Sequence, residues 1–450
     1  PDPASIRHRE NPAFKTLKMK LKIIIAGGGL SGLGAAIALR QKGHDVTVLE
    51  SASRLAEVGA GIQIPPNSTR VLKEYGIYDE ILKYVVWPKS IQIRRYATGE
   101  ILDRTHLHPR LSQVYGFPYL LIHRADYQRI LCQYAEKLGA KVLLNSPVDS
   151  VDEAGPSVKL VNGDVLTGDL IVGADGIKSR TRASILGSEN PEPVDSPDCA
   201  YRAVISREAM LKDPETAALM DDVNCNCWIG EQGHIMAYPI DNGQAYNVVM
   251  PHPGKATLGK WNEPGDLNEM RQNYKTYDPV IRKVLEKVES VLKWKLAEMP
   301  PLPRWLSNNG RVVLIGDAAH ATVPYLAQGA AMSIEDGAAL AECLDLADSI
   351  DMLPVVLKAF EEVRKPRCET IQSVSRGNGD VWHLPDGPAQ VERDSKMGKG
   401  LREQEEEEAE EKLDSNSNRW SDGSFQPWLF GYDTVSETRT FVKKRLSPSL

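Results

Sequence analysis

The sequence predicts an α/β protein, a doubly wound domain on a parallel sheet interrupted by a second domain on an antiparallel sheet. Three observations predict it. The first is LKIIIAGGGLSGLGAAIALRQKGHDVTVLE, Leu21 to Glu50, where a β-branched run, a glycine turn, an Ala/Leu-rich helical segment and a second apolar strand form a complete βαβ unit. The second is a series of alternating strands between about 191 and 300. The third is the return of the strand-then-helix pattern at GRVVLIGDAAHATVPYLAQGAAMSIEDGAALAECL, 310–344. A chain of 450 residues exceeds the usual single core, so a discontinuous first domain with a second inserted in it is expected.

Composition narrows the class. The apolar fraction of 42% supports a globular core, and a net charge of −7 without a basic block excludes nucleic acid as the main partner. No apolar run approaches the roughly 20 residues that span a bilayer, and no secretory signal is visible. Cys132, Cys199, Cys225, Cys227, Cys343 and Cys368 form no CxxC pair and suggest buried apolar side chains, not a disulfide framework or a metal site. Cys225 and Cys227 fall on one face of a strand. A reducing, cytoplasmic compartment is the simplest expectation.

Taken in order, residues 1–18 show no apolar periodicity and Met19 stands directly before the first strand, so an N-terminal extension or tag is expected there. Gly27, Gly29 and Gly32 are in GxGxxG register. Gly27 allows the sharp turn, Gly29 lets a pyrophosphate approach the backbone, and Gly32 lets the helix pack on the strand. Glu50 follows at about the 20-residue spacing of a carboxylate that binds ribose hydroxyls. Strand, helix and acid together indicate an adenine dinucleotide, without choosing between NAD and FAD. Gly59, Ala60 and Gly61 then make a backbone without bulk, suited to an ordinary turn or to passage along a flat ring, and Asn67-Ser68 starts a helix.

Residues 86–118, with SIQIRRYATGEIL as strand, turn and strand, read as a hairpin outside the βαβ pattern. A helix from Arg124 to about Leu138 and a strand at Lys141 to Asn145 restore it. Arg124 begins that helix, where the dipole disfavours a cation; it reads as held by a phosphate or carboxylate, or as a surface arginine. Asn162-Gly163 marks a hairpin turn, and LIVGAD is a buried strand ending in Asp175-Gly176, at the strand end where such sheets bind ligands. In the second domain GHIMAYPI places His234, Met236 and Tyr238 on one face, a half-lined pocket, and a helical stretch runs to Val291.

Val312 to Ile315 is a buried strand closed by Gly316-Asp317, and the helix from about Gly329 begins with small residues that offer its N-terminus to a polar or anionic group. Asp317, His320 and Pro324 share the short loop before it. Beyond Arg367, EQEEEEAEEK (403–412) reads as a solvated helix or disordered run, with SDGSFQPWLFGYD behind it as an aromatic docking segment.

Three motifs, GGGLSG (27–32), GADGIKSR (173–180) and GDAAHATVPYLAQGA (316–330), together resemble the class A FAD-dependent aromatic hydroxylases, the family of 4-hydroxybenzoate and salicylate hydroxylases, over about Met19 to Arg376. GAGIQIPPNSTRVL, CAYRAVISREAM, HIMAYPI, HLPDGP and WLFGYD resemble the salicylate-hydroxylase-like branch, which includes fungal enzymes that hydroxylate and dearomatise polyketide phenols. The resemblance implies a Rossmann-like FAD-binding domain of the 4-hydroxybenzoate hydroxylase type from segments 19–85, 119–190 and 300–376. It also implies an antiparallel-sheet substrate domain from 86–118 and 191–299, and a C-terminal helical extension, partly acidic, over 377–450.

By the same resemblance the GxGxxG glycines and Glu50 bind the ADP half of FAD, and Arg124 and the Asp317 loop hold the pyrophosphate and ribityl region. Asp175-Gly176 corresponds to a motif in contact with both FAD and NAD(P)H. Pro324 and the Gln328-Gly329 turn with Ala330 lie near the isoalloxazine. One departure is visible, Ala327 where the family has glycine before the Gln. No second GxGxxG exists, as expected where NADPH or NADH binds only transiently.

The implied activity is reduction of FAD by NAD(P)H, reaction with O2 and transfer of an OH⁺ equivalent from a flavin C4a-hydroperoxide to an electron-rich ring, with dearomatisation of a polyketide phenol as one outcome. The protein must exclude water, align the ring and make the phenol more nucleophilic. In the matching motifs AYRAV and HIMAYPI, Arg202 and Tyr238 are the candidates for stabilising a phenolate, and His234 is a weaker candidate for a proton shuttle. The expected partners are a small aromatic substrate and O2, in a monomer or homodimer. A flavin epoxidase acting on an indole or alkene, and a non-catalytic flavoprotein, stay open; the WxWxIP motif of flavin halogenases is absent at Trp228-Ile229-Gly230.

Overall fold

The computed structural model describes residues 19–55, 60–255, 261–398 and 416–447. The N-terminal extension 1–18, Gly59 and the acidic run 403–412 lie outside the described residues. Strands Val312–Leu314, Leu170–Gly173, Lys22–Ala26, Asp45–Leu49 and Lys141–Leu143 form, in that order, a parallel sheet. Its central strand is apolar after the exposed Lys22, with Ile23, Ile24 and Ile25 buried, because both faces are covered. Helices Leu30–Gln41 and Gly329–Asp345 pack together there. They approach closely because Gly337 lies against the backbone of Ala35, where an added Cβ would sit 2.7 Å from the Ala35 nitrogen.

An eight-stranded sheet makes the second layer, in the order Asn262–Pro264, Leu292–Glu298, Val194–Ser206, Ala245–Pro253, Gly233–Ile240, Cys225–Gly230, Ser90–Arg95 and Ile101–His106. The sheet departs from the purely antiparallel expectation in one place, since Cys225–Gly230 pairs in parallel with the hairpin strand Ser90–Arg95. One face of this sheet joins the main core through Met236, Tyr238 and Ile240. Its other face buries Trp228, Met250 and Tyr246 against Met270, Ile281 and Leu285 of helices Leu267–Asn273 and Pro279–Glu286. Strand Leu292–Glu298 was not expected; its alternation of Leu, Lys and Trp follows directly on the helical stretch, and it pairs with Val194–Ser206.

A three-stranded sheet of Gly61–Ile64, Leu120–His123 and Val85–Val86 joins the two layers. Helix Leu353–Trp382 runs unbroken through position 376, so the segment boundary drawn there falls inside an element. The aromatic segment beyond it docks on the core: Leu429 and Phe430 are buried, and Arg367 donates to the carbonyls of Trp428 and Leu429, each at 3.0 Å. All six cysteines are buried free thiols. Among the described residues no helix is long and apolar enough to cross a membrane.

Candidate active site

Where the layers meet, a cavity of about 350 Å³ is lined by residues from both sheets' domains and the C-terminal segment, among them Gly29, Arg124, Gly176, Asp317, Pro324, Gly329 and Ala330. Two helix N-termini border it. Gly29 caps Leu30–Gln41 without a side-chain hydrogen bond, and a Cβ at Gly29 would meet nothing within 4 Å, so the helix amides face open space. Gly27 holds the turn at φ +108°, against the Ala174 backbone. Glu50 is aimed along the same turn: its Oε2 accepts from the Gly28 amide at 2.8 Å and its Oε1 from Ala52 at 2.8 Å. Gly32 packs its Cα over the Gly27 carbonyl, where a side chain has no room.

Two of the expected cofactor residues have their polar side-chain atoms engaged within the protein. The Asp175 carboxylate turns away from the cavity, accepting from Ser179 Oγ at 2.5 Å and from Thr181 N and Oγ1 at 3.0 and 3.1 Å. It orders the start of helix Arg180–Leu186, and Gly176 is the residue of that pair that lines the cavity. Gln328 is buried with its Oε1 on Asn67 Nδ2 at 3.0 Å, so its neighbours Ala327, Gly329 and Ala330 present the turn to the cavity. Ala327, in the place of the family's glycine, holds φ +54°.

The sheet-domain wall brings Arg202, His234, Met236 and Tyr238 into the same cavity. Arg202 lies over the Trp294 ring, 5.0 Å from its centroid, a contact made by the unexpected strand. Tyr238 is almost fully buried, and burial pushes its hydroxyl pKa up; the charge of Arg202 and a hydrogen bond with Gln63 pull the other way. Gln63 in turn accepts from Tyr119 at 2.6 Å. His234 Nδ1 lies 2.8 Å from Nε2 of His383, and burial first, then the His383 charge, lowers its pKa well below the usual value.

Sequence reasoning missed Gln63, Trp382, His383 and Trp420. Gln63 is two residues beyond Gly61 on the joining strand, a signal within the motif already quoted. Trp382 and Trp420 line the cavity from the C-terminal segment, where no local pattern marks them.

Behind the Gly329 helix sits a buried ion network. Asp336 accepts from Gly316 N at 2.8 Å, Arg364 Nε at 2.9 Å and His320 Nε2 at 2.6 Å. Glu335 meets Arg364 at 2.8 Å and Arg367 at 2.9 Å, and accepts from Asn67 at 2.7 Å. Burial opposes the charge on His320, yet Cys368 and Asp336 hold its pKa well above the usual value. His320, Asp336 and Cys368 come close enough to resemble a metal donor set. Arg364 already fills one Asp336 oxygen, so the group works as a scaffold that orders the loop around Asp317.

The FAD binding domain family model matches residues 20–374. The chain is 36% identical over 423 residues to FAD-dependent monooxygenase OpS4 of Beauveria bassiana (strain ARSEF 2860), covering 94% of this chain and 97% of that protein. It is 33% identical over 384 residues to 3-hydroxybenzoate 6-hydroxylase 1 of Aquipseudomonas alcaligenes, covering 84% of this chain and 94% of that one. Its fold matches a salicylate hydroxylase substrate complex with a TM-score of 0.76 at 22% identity, over 96% of this chain and 99% of that one. The uncapped helix N-terminus at Gly29, the open space before it and the aimed Glu50 carboxylate fit the diphosphate and ribose of FAD. The chain belongs to the FAD binding domain family, and it is an FAD-dependent monooxygenase of the aromatic hydroxylase type.

Proposed function

We propose that the protein hydroxylates a small phenolic substrate whose ring oxygen is held as phenolate between Arg202 and Tyr238. The observation that carries this reading is that both residues line the cavity that also contains Gly29, Arg124, Asp317, Pro324 and Gly329. FAD, held by Gly29, Arg124, Asp317 and Gly329, would supply the redox chemistry, namely acceptance of a hydride from NADPH or NADH and activation of O2.

The chain's own residues do the rest. The guanidinium of Arg202 favours the ionised phenol and so lowers the substrate's pKa. Tyr238, whose own pKa is raised by burial, keeps its proton near neutral pH and donates it as a hydrogen bond to the phenolate. A phenolate pushes electron density to its ortho and para carbons, which makes them the nucleophiles. Met236, Trp382 and Trp420 give the cavity an apolar wall and so help exclude water. Attack at a ring carbon that already carries a substituent leaves a dearomatised ketone, and attack at an unsubstituted carbon leaves a phenol. The relative named for 3-hydroxybenzoate supports the aromatic substrate class.

The test is NADPH and NADH oxidation by the purified yellow protein in air, with phenols, resorcylaldehydes, salicylates, indoles and alkenes, for wild type and Arg202→Gln. Stimulation by a phenol, lost by tenfold or more in Arg202→Gln with FAD still bound, is the expected result. Turnover with an indole or alkene alone would replace the reading by an epoxidase, and normal turnover in Arg202→Gln would remove Arg202 from the site.

A further inference from the structure

The Tyr238 hydroxyl is backed by two further polar groups in line. Side chains alternate along strand Gly61–Ile64, so Gln63 shares the face of Gly61 that meets Tyr238, and Gln63 and Tyr238 both line the cavity. Behind Gln63 lies Tyr119, buried at 1% exposure, whose hydroxyl donates to Gln63 Oε1 at 2.6 Å. The Tyr119 ring is fixed from the C-terminal segment, where Phe430 meets it edge-on with 5.8 Å between centroids. Burial first, then Cys225 and Tyr238, raises the Tyr119 pKa well above its usual value, so this phenol keeps its hydrogen near neutral pH.

The line has a direction. A side-chain amide accepts only at its oxygen and donates only at its nitrogen. Turned the other way, Gln63 would set its Nε2 hydrogens against the hydrogen of the Tyr119 hydroxyl, and a buried donor left without its acceptor costs about 1–3 kcal/mol. With Oε1 taken by Tyr119, Nε2 faces Tyr238 and donates to its hydroxyl oxygen. The Tyr238 oxygen is the acceptor of that pair, and its own hydrogen is left for the cavity. Two other groups act on this hydroxyl, Arg202 and Cys225. Burial raises the Cys225 pKa and keeps the thiol neutral, while Arg202, which lines the cavity and can only donate, puts a second donor beside the first.

We propose that Gln63, held by Tyr119, is a positioning residue that aims the Tyr238 hydroxyl hydrogen at the substrate, so that the place between Arg202 and Tyr238 takes an oxygen that accepts and rejects a nitrogen that donates. This rests on the phenolate reading and deepens it: the class selected is phenols whose ring oxygen ionises, over anilines and indoles of similar size. An aniline or indole N–H set there meets two donors and has no acceptor, whereas a phenolate oxygen satisfies both. Gln63 acts through Tyr238, and Tyr119 acts through Gln63. Tyr119→Phe frees the amide to turn its Oε1 toward Tyr238, whose hydrogen then points back at Gln63 and no longer serves the substrate.

The test adds 2,4-dihydroxybenzaldehyde to oxidised holoenzyme and titrates the bound ligand by its absorbance, which moves to longer wavelength when a ring hydroxyl ionises. Wild type, Tyr119→Phe, Gln63→Met, Tyr238→Phe and the double variant Tyr119→Phe with Tyr238→Phe are compared, with bound FAD measured in each. The expected result is an ionisation constant of the bound ligand lower by about threefold or more in Tyr119→Phe and in Gln63→Met than in wild type. In the double variant it should equal that of Tyr238→Phe alone, because Tyr119 acts only through the Tyr238 hydroxyl; a merely structural role would lower it further. An unchanged constant in Tyr119→Phe and Gln63→Met, or an equal loss with and without the Tyr238 hydroxyl, overturns the inference while leaving the phenolate reading in place. A wild type that ionises the bound aldehyde no more readily than water does overturns both.

Discussion

Gly61 and Tyr238 touch across the two halves of the cavity: a Cβ placed on Gly61 would lie 2.5 Å from Cε2 of the Tyr238 ring. The strand that carries Gly61 is fixed in turn, because the Gly61 amide donates to Asn247 Oδ1 at 2.7 Å. Gly61→Ala must therefore push the tyrosine ring out of place. The expected outcome is a loss of at least tenfold in phenol-stimulated turnover and about 1–3 kcal/mol in stability, with FAD still bound by its visible spectrum. Wild-type kinetics in Gly61→Ala would show that the Tyr238 position does not matter to the reaction.

Ala327 carries backbone strain at the mouth of the site, with φ +54° on a residue that has a Cβ. The left-handed conformation costs an L-residue roughly 1–2 kcal/mol, and the added freedom of glycine in the unfolded chain offsets part of what relief would bring. Ala327→Gly is expected to leave stability unchanged or raise it by up to about 1 kcal/mol, and Ala327→Val to lower it. Urea unfolding of the holoenzyme reads both. Greater stability in the valine variant would contradict the assignment of strain.

The ion network behind the site has a pH signature with two edges. Burial raises the pKa of Asp336 and Glu335, but His320 and Arg364 for the first, and Arg367 and Arg364 for the second, bring both below their ordinary values. Their contribution is present above the unfolded carboxylate range, near 4, and is lost as the pH falls through the lower folded values. His320 is raised, so its contribution is full below about 6.5 and fades as the pH rises above it. Unfolding free energy measured from pH 6 upward should therefore fall more steeply in wild type than in His320→Gln. Removing one charge, as in Arg367→Ala, should cost about 3–5 kcal/mol; parallel pH curves would contradict the His320 assignment.

Trp420 bounds the cavity from the C-terminal segment, its Nε1 donating to the Leu326 carbonyl at 3.4 Å and its ring 5.3 Å from that of Trp382. Trp420→Phe keeps an aromatic wall, whereas Trp420→Ala removes it at a stability cost of about 3–5 kcal/mol. The expected readout is specificity: kcat/KM for a naphthol relative to a single-ring phenol should rise in Trp420→Ala and stay near the wild-type ratio in Trp420→Phe. An unchanged ratio in both would show that Trp420 does not limit substrate size.

The parts of the fold that the sequence discloses are those set by local patterns. The turn from Gly27 to Gly32 follows from backbone geometry, and strand Gly233–Ile240 and helix Gly329–Asp345 start where period and small residues place them. Strand Leu292–Glu298 was hidden because three of its seven positions are charged and it follows a helix without a turn signal; pairing with Val194–Ser206 decides it. The Asp175 side chain was misdirected for a similar reason, since its partners Ser179 and Thr181 are close in sequence but become donors only once the helix forms. Trp382 and Trp420 reach the cavity, and His383 reaches His234 behind it, by tertiary docking, with contacts such as Arg367 on the Trp428 carbonyl holding the C-terminal segment. No spacing rule reports such contacts.

The most direct test of the central claim is incorporation of labelled oxygen. Holoenzyme, NADPH or NADH and a phenol that stimulates its oxidation are incubated under ¹⁸O₂, and the product mass is read. One ¹⁸O atom gained per product molecule, with none entering from ¹⁸O-labelled water in the converse experiment, is the predicted result. NAD(P)H oxidation that yields hydrogen peroxide and unmodified phenol would contradict the assignment of this cavity to aromatic hydroxylation.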